Sequence, residues 1–371
     1  MRPFSLATVL SAVLLTSTRA ASLDGRGKKH SCPPFQNGTF IIHQYQLYPD
    51  NAAFDFDECV LYISALFNGS MVKYDPYTGQ TLDIINFPGI SDVYDEHASG
   101  IHWDPRTKDI YLVIDAQPAF LTDGANATGD YWLIKYSTTH SRELHRTNLT
   151  ALTQSLYAGF QDVTTDSHGN AYVVGTYPSS IIRVSPSGVP TLFYPPQTSN
   201  TSVHGFTGIV SLPTTFSPTT LIAISAEGVP EELSAGDSKL YRFDTSLKYP
   251  PSQPTIIPIS PPETKLGVPD AIHLPERYGG TVMLAAMNYV GVSVLRSKDG
   301  WRSAEYLGTI PSDYPKFFER IITATVQIGA EKQFMIGQSF PGGIVPGTKG
   351  GNGTDFPFFD ITDEVEALLG Y

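Results

Sequence analysis

The sequence predicts an all-β fold, a six-bladed β-propeller, on three observations. One pattern recurs six times: a polar start, an apolar run ending near Asp or Pro, a turn, then a second apolar run. The clearest copies are Asp50-Asn-Ala-Ala-Phe-Asp55 with Val60-Leu-Tyr-Ile-Ser64, Ser99-Gly-Ile-His-Trp-Asp104 with Ile110-Tyr-Leu-Val-Ile114, and Gln161-Asp-Val-Thr-Thr-Asp166 with Ala171-Tyr-Val-Val174. Thr207-Gly-Ile-Val-Ser-Leu212, Pro269-Asp-Ala-Ile-His-Leu274 and Glu319-Arg-Ile-Ile-Thr-Ala324 begin the other three. Second, the starts at 50, 99, 161, 207, 269 and 319 are spaced 49, 62, 46, 62 and 50 residues apart, the length of one four-stranded blade plus a loop. Third, charged residues are only 16% while Pro numbers 29 and Gly 32, a balance that suits short strands and tight turns.

The elements follow in order. Met1 and Arg2, an apolar run from Leu6 to Leu15, and small residues at Thr18 and Ala20 read as a secretory signal peptide over 1–20. That run is too short to span a bilayer, and no later segment is an uninterrupted apolar stretch of membrane length. Residues 21–37 read as a loose basic arm, and 38–371 as a single propeller domain. Phe40-Ile-Ile-His-Gln-Tyr-Gln-Leu47 alternates as a half-buried strand, expected to close the ring by pairing with a late strand such as Gln333-Phe-Met-Ile336. Asp363-Glu-Val-Glu-Ala-Leu-Leu369 reads as a short terminal helix.

The secretory reading has two further supports. Asn-x-Ser/Thr sequons stand at Asn37, Asn68, Asn126, Asn148, Asn200 and Asn352, expected as glycosylation sites on surface loops. Cys32 and Cys59 are the two cysteines, either a disulfide tying the arm to the first blade or two buried thiols, and the pair is the expectation. The chain is thus expected in the secretory pathway, exported or kept in a vesicular compartment. A net charge of −12 without clustered Lys or Arg excludes a nucleic-acid partner.

A propeller sets its blade starts around one mouth of a central channel. Those positions read Asp50, Ser99, Gln161, Thr207, Pro269 and Glu319. Asp50 and Glu319 belong to neighbouring blades once the ring closes. Two carboxyls in a partly dry cavity repel, so one keeps its proton and the other ionises, a general acid and base. The plainer alternative is that each caps backbone N–H groups. His97 and His204 lie in loops entering inner strands and titrate near neutrality, which adds them as catalytic candidates. His102 and His273, inside the strands, read as packing residues. Asp162 and Asp270 lie one residue further on, and strand parity turns them away from the channel into structural roles. Ser99, Trp103, Gln161, Thr207, Asn288 and Tyr289 are the candidate substrate-binding residues, Asn288-Tyr289 being equally readable as a hairpin turn. No G-x-S-x-G elbow, H-E-x-x-H pair, zinc-spaced cysteines or phosphate-cradling glycine loop occurs, and no cofactor or metal is expected.

The run Gly159-Phe-Gln-Asp-Val-Thr-Thr-Asp-Ser-His-Gly-Asn-Ala-Tyr-Val173, with Asn68-Gly-Ser-Met-Val-Lys-Tyr-Asp-Pro-Tyr-Thr-Gly79, resembles the six-bladed gluconolactonase-like propellers. Those lactonases hold calcium with a Glu, two Asn and an Asp. The matching positions here read Asp50, Ser99, Gln161, Thr207 and Pro269, so neither ion nor lactonase activity carries over. With its signal, its Tyr, Phe and Pro richness and Ala98-Ser-Gly-Ile-His-Trp-Asp-Pro105, the whole chain is similar to the fungal core trichothecene cluster protein 14 family. That resemblance implies a cofactor-independent cyclase in mycotoxin biosynthesis. Its substrate would be a small apolar hydroxylated sesquiterpenoid, in which acid- and base-assisted loss of an allylic hydroxyl closes an oxygen heterocycle. Two other classes stand beside it: a metal-assisted lactonase or hydrolase, and a non-catalytic secreted binding protein acting in virulence.

Overall fold

A computed structural model describes residues 32–91, 93–213, 215–217, 219–228, 238–246, 253–312, 320–339 and 345–371. The signal peptide, the arm up to residue 31 and Glu319 lie outside the described residues.

Six small sheets radiate from one axis as the blades of a β-propeller. Their inner strands are Pro49–Asp55, Glu96–Asp104, Ala158–Thr165, His204–Ser211, Pro269–His273 and Arg320–Ile328. Each packs on the inner strand of the next blade, and the last packs on the first, so the ring closes. The second strands, such as Val60–Ala65 and Asp109–Ala116, are buried along their whole length. They lie between blades and read as continuous apolar runs rather than alternating ones. The outer strand Gln80–Ile85 is largely exposed, with Leu82 and Ile84 facing solvent.

The Asp that ends an apolar run has a local task. Asp55 Oδ1 accepts the Asp57 and Glu58 N–H groups at 2.8 and 3.0 Å, and Asp166 Oδ1 accepts those of His168 and Asn170 at 2.8 and 2.9 Å. A short acidic side chain that bonds the backbone two residues on makes the tight turn to the second strand. The turn ends in left-handed backbone, at Gly169 without steric cost and at Cys59 with φ 60°.

Closure differs from the expected pairing by one strand. Phe40–His43 pairs with Asp355–Asp360, which in turn pairs with Phe334–Ile336. The intervening strand was hidden because Pro357 interrupts its apolar run, and proline inside a run speaks against a central strand. Phe35, Phe40, Phe334 and Phe358 pack there ring to ring, with centroids 5.3 to 5.7 Å apart in Phe35–Phe334, Phe40–Phe334 and Phe40–Phe358. Cys32 and Cys59 are joined by a disulfide that fastens the N-terminal segment to the first blade. The terminal helix runs Thr362–Leu369 and buries Val365 against the fifth and sixth blades. Among the described residues no helix is long and apolar enough to cross a membrane.

Candidate active site

All six inner strands carry a β-bulge near the end where they begin. The regular pairing breaks after Pro49, Ala98, Phe160, Phe206, Pro269 and Ile322. Bulges re-aim side chains, and six at one level build a collar around the channel mouth. The first residue of each bulge is Asp50, Ser99, Gln161, Thr207, Asp270 and Thr323. Four of these are the expected mouth residues. In the fifth blade the position belongs to Asp270 rather than Pro269, and in the sixth to Thr323 rather than Glu319. Pro269 still pairs regularly with Met287, so the bulge begins one residue later than an ungapped count gives.

The second bulge residues point between blades. A Cβ at Gly100 would lie 2.4 Å from the Gln161 carbonyl oxygen, and one at Gly208 would lie 2.7 Å from the Ile272 nitrogen. Only glycine permits that approach. Asp162 takes the Val163 and Ile209 N–H groups at 2.9 Å each, spanning the third and fourth blades. Its structural reading agrees with this geometry. Asp270 departs from that reading, because the bulge restores its side chain to the channel.

Polar side chains tie the collar to the neighbouring blades. Ser99 Oγ donates to the Phe160 carbonyl of the next blade at 3.1 Å. Thr176 Oγ1 lies 2.8 Å from both the Phe206 carbonyl and Gln161 Oε1. The Asn288 amide nitrogen, in the orientation its surroundings require, donates to Asp270 Oδ2 at 2.9 Å and to the Ile322 carbonyl at 3.1 Å. Thr207 Oγ1 is buried and has no partner in the described structure.

The electrostatics of the collar are those of carboxyls in a dry place. Burial pushes Asp50 up to about 7 and Asp162 up to about 8. Burial, then the charges of Asp50 and Asp162, hold Asp270 well above the usual carboxylate range. Asp115, on the second strand of the second blade, is raised likewise by burial, Asp50 and Glu96. Glu96 is pushed up to about 7, chiefly by burial and then by Asp130, with Lys349 opposing.

The remaining expected site residues fall in different places. His97 begins the second blade, buried edge-on to the Phe67 ring at 5.3 Å, and its burial, then Lys349, push it down to about 4. It is a neutral imidazole whose Nε2 has no hydrogen-bond partner. His204 sits at the rim, 3.6 Å from Asp123 Oδ1 and edge-on to Tyr177 at 5.0 Å. Burial lowers its pKa and Asp123 opposes. Trp103 lies in the core between the first two blades, 5.9 Å from the Phe56 ring, well below the mouth. Its aromatic bulk belongs to packing. Tyr289 tips the mouth-side hairpin of the fifth blade, 74% exposed. His102 and His273 share one strand position further down the channel, bonded to Thr165 at 3.0 Å and Thr325 at 3.5 Å, and burial pushes both down to about 4.

Among the described residues no three His, Cys, Asp or Glu side chains converge as a metal-ligand set. The collar offers two carboxylates, two hydroxyls of Thr, one of Ser and one amide, and Asp162 is committed to backbone N–H groups, which does not fit the ligand set of the lactonase-type calcium site. On the opposite face of the ring a separate cleft of about 540 Å³ lies between the third and fourth blades, lined by Asp166, Asn170, Arg183 and Thr245 among others.

Asp115 and Thr323 carry no role in the sequence reading, and Asp270 carries only a structural one. Asp115 did carry a signal, a carboxyl terminating the otherwise apolar run Ile110-Tyr-Leu-Val-Ile114.

Comparisons with known proteins agree with this architecture. No family model matches the chain. Among solved structures, the major allergen Mala s 1 of Malassezia sympodialis superposes with a TM-score of 0.68 at 18% identity, over 88% of this chain and 96% of that one. A gluconolactonase of Xanthomonas campestris gives 0.51 at 13% identity, over 87% and 89%. These low identities establish the propeller fold alone. Trichothecene biosynthesis protein 14 of Trichoderma arundinaceum is 31% identical over 355 residues, 91% of this chain and 92% of that protein. Core trichothecene cluster protein 14 of Fusarium sporotrichioides is 31% identical over 365 residues, 92% and 90% of the two chains. With that identity across nine-tenths of both lengths, the chain belongs to the trichothecene cluster protein 14 family.

Proposed function

We propose that this protein acts in trichothecene biosynthesis as a cyclase, closing an oxygen heterocycle in a hydroxylated sesquiterpenoid by acid- and base-assisted loss of an allylic hydroxyl. The observation that carries the reading is the pair Asp50 and Asp270, two carboxyls at one bulge position, both raised by burial and with the charge of Asp50 acting on Asp270. The family's named members supply the pathway.

The roles follow from the electrostatics. Asp270, held above the usual range, is the acid, and Asp50, pushed up to about 7, is the base near neutral pH. The allylic C–O bond breaks as the Asp270 proton moves to the departing oxygen, which leaves as water. The attacking hydroxyl forms the new C–O bond and gives its proton to Asp50. Return of that proton to Asp270 resets the site, and the net change is loss of one water. Ser99, Gln161 and Thr207 would orient the two hydroxyls, and holding them in place supplies much of the rate. Neutral His97 adds no charge to compete with the pair.

Passage through an oxidising secretory compartment belongs to the same reading. The Cys32–Cys59 disulfide supports it, as do exposed sequons at Asn37, Asn126, Asn200 and Asn352. The amides of Asn68 and Asn148 are engaged with backbone, which makes these two the poorer acceptors.

The test is incubation of purified protein with the pathway's hydroxylated sesquiterpenoids, followed by mass spectrometry. A product lighter by one water, formed by the native protein and not by Asp50→Asn, is expected. Unchanged substrate with correctly folded protein would overturn the proposal.

A further inference from the structure

Asp115 occupies a position that recurs around the ring. It faces His97 across the first two strands of its blade, one step before the bulge. The same step holds Thr176 in the third blade and Asn288 in the fifth. Both of these direct a donor group to the carbonyl just before the bulge of the next blade, Phe206 and Ile322 respectively. By register the matching carbonyl for Asp115 is that of Phe160, which accepts from Ser99 Oγ at 3.1 Å. Two other blades thus carry a donor at this step, where the second blade carries a carboxyl, and a carboxyl donates only when protonated.

The surroundings point the same way. Asp115 is 1% exposed, and its Oδ1 has no hydrogen-bond partner among the described residues. An ionised carboxylate so placed would be buried without compensation. The titratable groups acting on it or feeling it are Asp50 from the first blade, Glu96 from its own inner strand, Tyr131 and Tyr177. His97, opposite it, is held neutral, and Lys349 acts on Glu96 and His97.

We propose that Asp115 is a positioning residue that keeps its proton and so leaves Asp50 as the carboxyl that ionises. Its catalytic meaning rests on the cyclase reading, and its protonation does not. A neutral Asp115 adds no charge beside Asp50, so Asp50 ionises ahead of it. Once Asp115 ionises at higher pH, a second charge behind Asp50 disrupts the asymmetry and turnover falls.

Two measurements need no substrate. Melting temperature is followed from pH 4 to 9 for the native protein and for Asp115→Asn, which keeps a neutral donor of the same shape. Unfolded Asp115 ionises near pH 4 and folded Asp115 does not, so the native protein loses stability above that pH while the variant is spared. The expected result is a variant melting several degrees higher at pH 8 and equal to the native protein at pH 4. In parallel, the infrared difference spectrum of the two at pH 7 should show loss of a neutral carboxyl band. Loss of a carboxylate band instead, or a melting difference independent of pH, overturns the protonation.

With substrate, Asp115→Leu should lower turnover at least tenfold, while Asp115→Asn restores it and loses the alkaline limb of the pH profile. An unchanged alkaline limb in Asp115→Asn overturns the positioning role. Absent turnover in all forms, with the melting difference present, overturns the cyclase reading and leaves the protonation standing.

Discussion

Asp50 and Asp270 hold the same bulge position on blades two apart, with Thr323 between them on the collar. The charge of Asp50 bears directly on Asp270. Two carboxyls in equivalent places, one acting on the other, are what acid–base chemistry on one substrate needs.

Replacing either member should therefore separate activity from stability. Asp50→Asn and Asp270→Asn are each expected to lower turnover by roughly 10²–10⁴. Neither should lower the melting temperature at pH 8, because each removes a carboxyl whose charged form is disfavoured by burial. Steady-state kinetics beside thermal melts checks this, and near-normal turnover in both variants would sink the assignment.

Stability should have a plateau and then decline with pH. Asp50, Asp162 and Glu96, with folded values of about 7, 8 and 7, contribute stability that is complete below about pH 4 and lost as pH rises through those values. His97, His102 and His273, each pushed down to about 4, contribute stability present above 6.5 and lost as pH falls toward 4. The two sets oppose between pH 4 and 6.5. Above 6.5 only the carboxyls act, so melting temperature should fall between pH 6.5 and 8.5. A rise over that interval contradicts the collar's electrostatics.

Gly100→Ala tests the packing of the second blade on the third. Its Cβ would meet the Gln161 carbonyl at 2.4 Å and the Asp162 Cα at 2.5 Å, both backbone atoms that cannot swing aside. We expect a loss of about 1–3 kcal/mol by denaturant titration, the usual cost of overpacking. Gly279→Ala meets nothing within 4 Å and serves as the control for space, though its φ of 58° adds some backbone strain of its own.

Opening the disulfide should weaken the ring where its ends meet. A cross-link between residues 27 apart constrains the unfolded chain by about 3–4 kcal/mol. The double variant Cys32→Ser, Cys59→Ser should show that loss on unfolding in non-reducing buffer. Native protein melted with and without reductant should show the same gap.

Much of the fold was legible because its signals are local. The second strands announce themselves as apolar runs, as in Ala171-Tyr-Val-Val174, and the turns as Asp followed by a left-handed residue, as in Asp166 to Gly169. The strand Asp355–Asp360 was not legible, since Pro357 argues against a strand and its partners are more than 300 residues away in one case. The collar was legible at Asp50, Ser99, Gln161 and Thr207, where blade starts align directly. It failed at Asp270 and Thr323 because a bulge shifts facing by one residue, and nothing in period-two alternation announces a bulge. Asp115 was missed for another reason: it sits on a second strand, away from the blade starts where chemistry was sought. Trp103 was misplaced because an aromatic near a blade start serves packing and substrate contact equally well in sequence.

The pairing of Phe40–His43 with Asp355–Asp360 has a further consequence. From the first blade to the sixth, every junction is spanned by the running chain, so no two blades can drift apart without stretching a loop. The place where the circle closes without a chain connection is inside the sixth blade, between its two outermost strands, which are joined by hydrogen bonds and side-chain packing. Disruption of the ring should therefore start as a peeling of one strand from the rim, not as a gap between blades. That peeling begins a few residues before Asp50, so the first loosening of the fold is felt at the base of the proposed reaction.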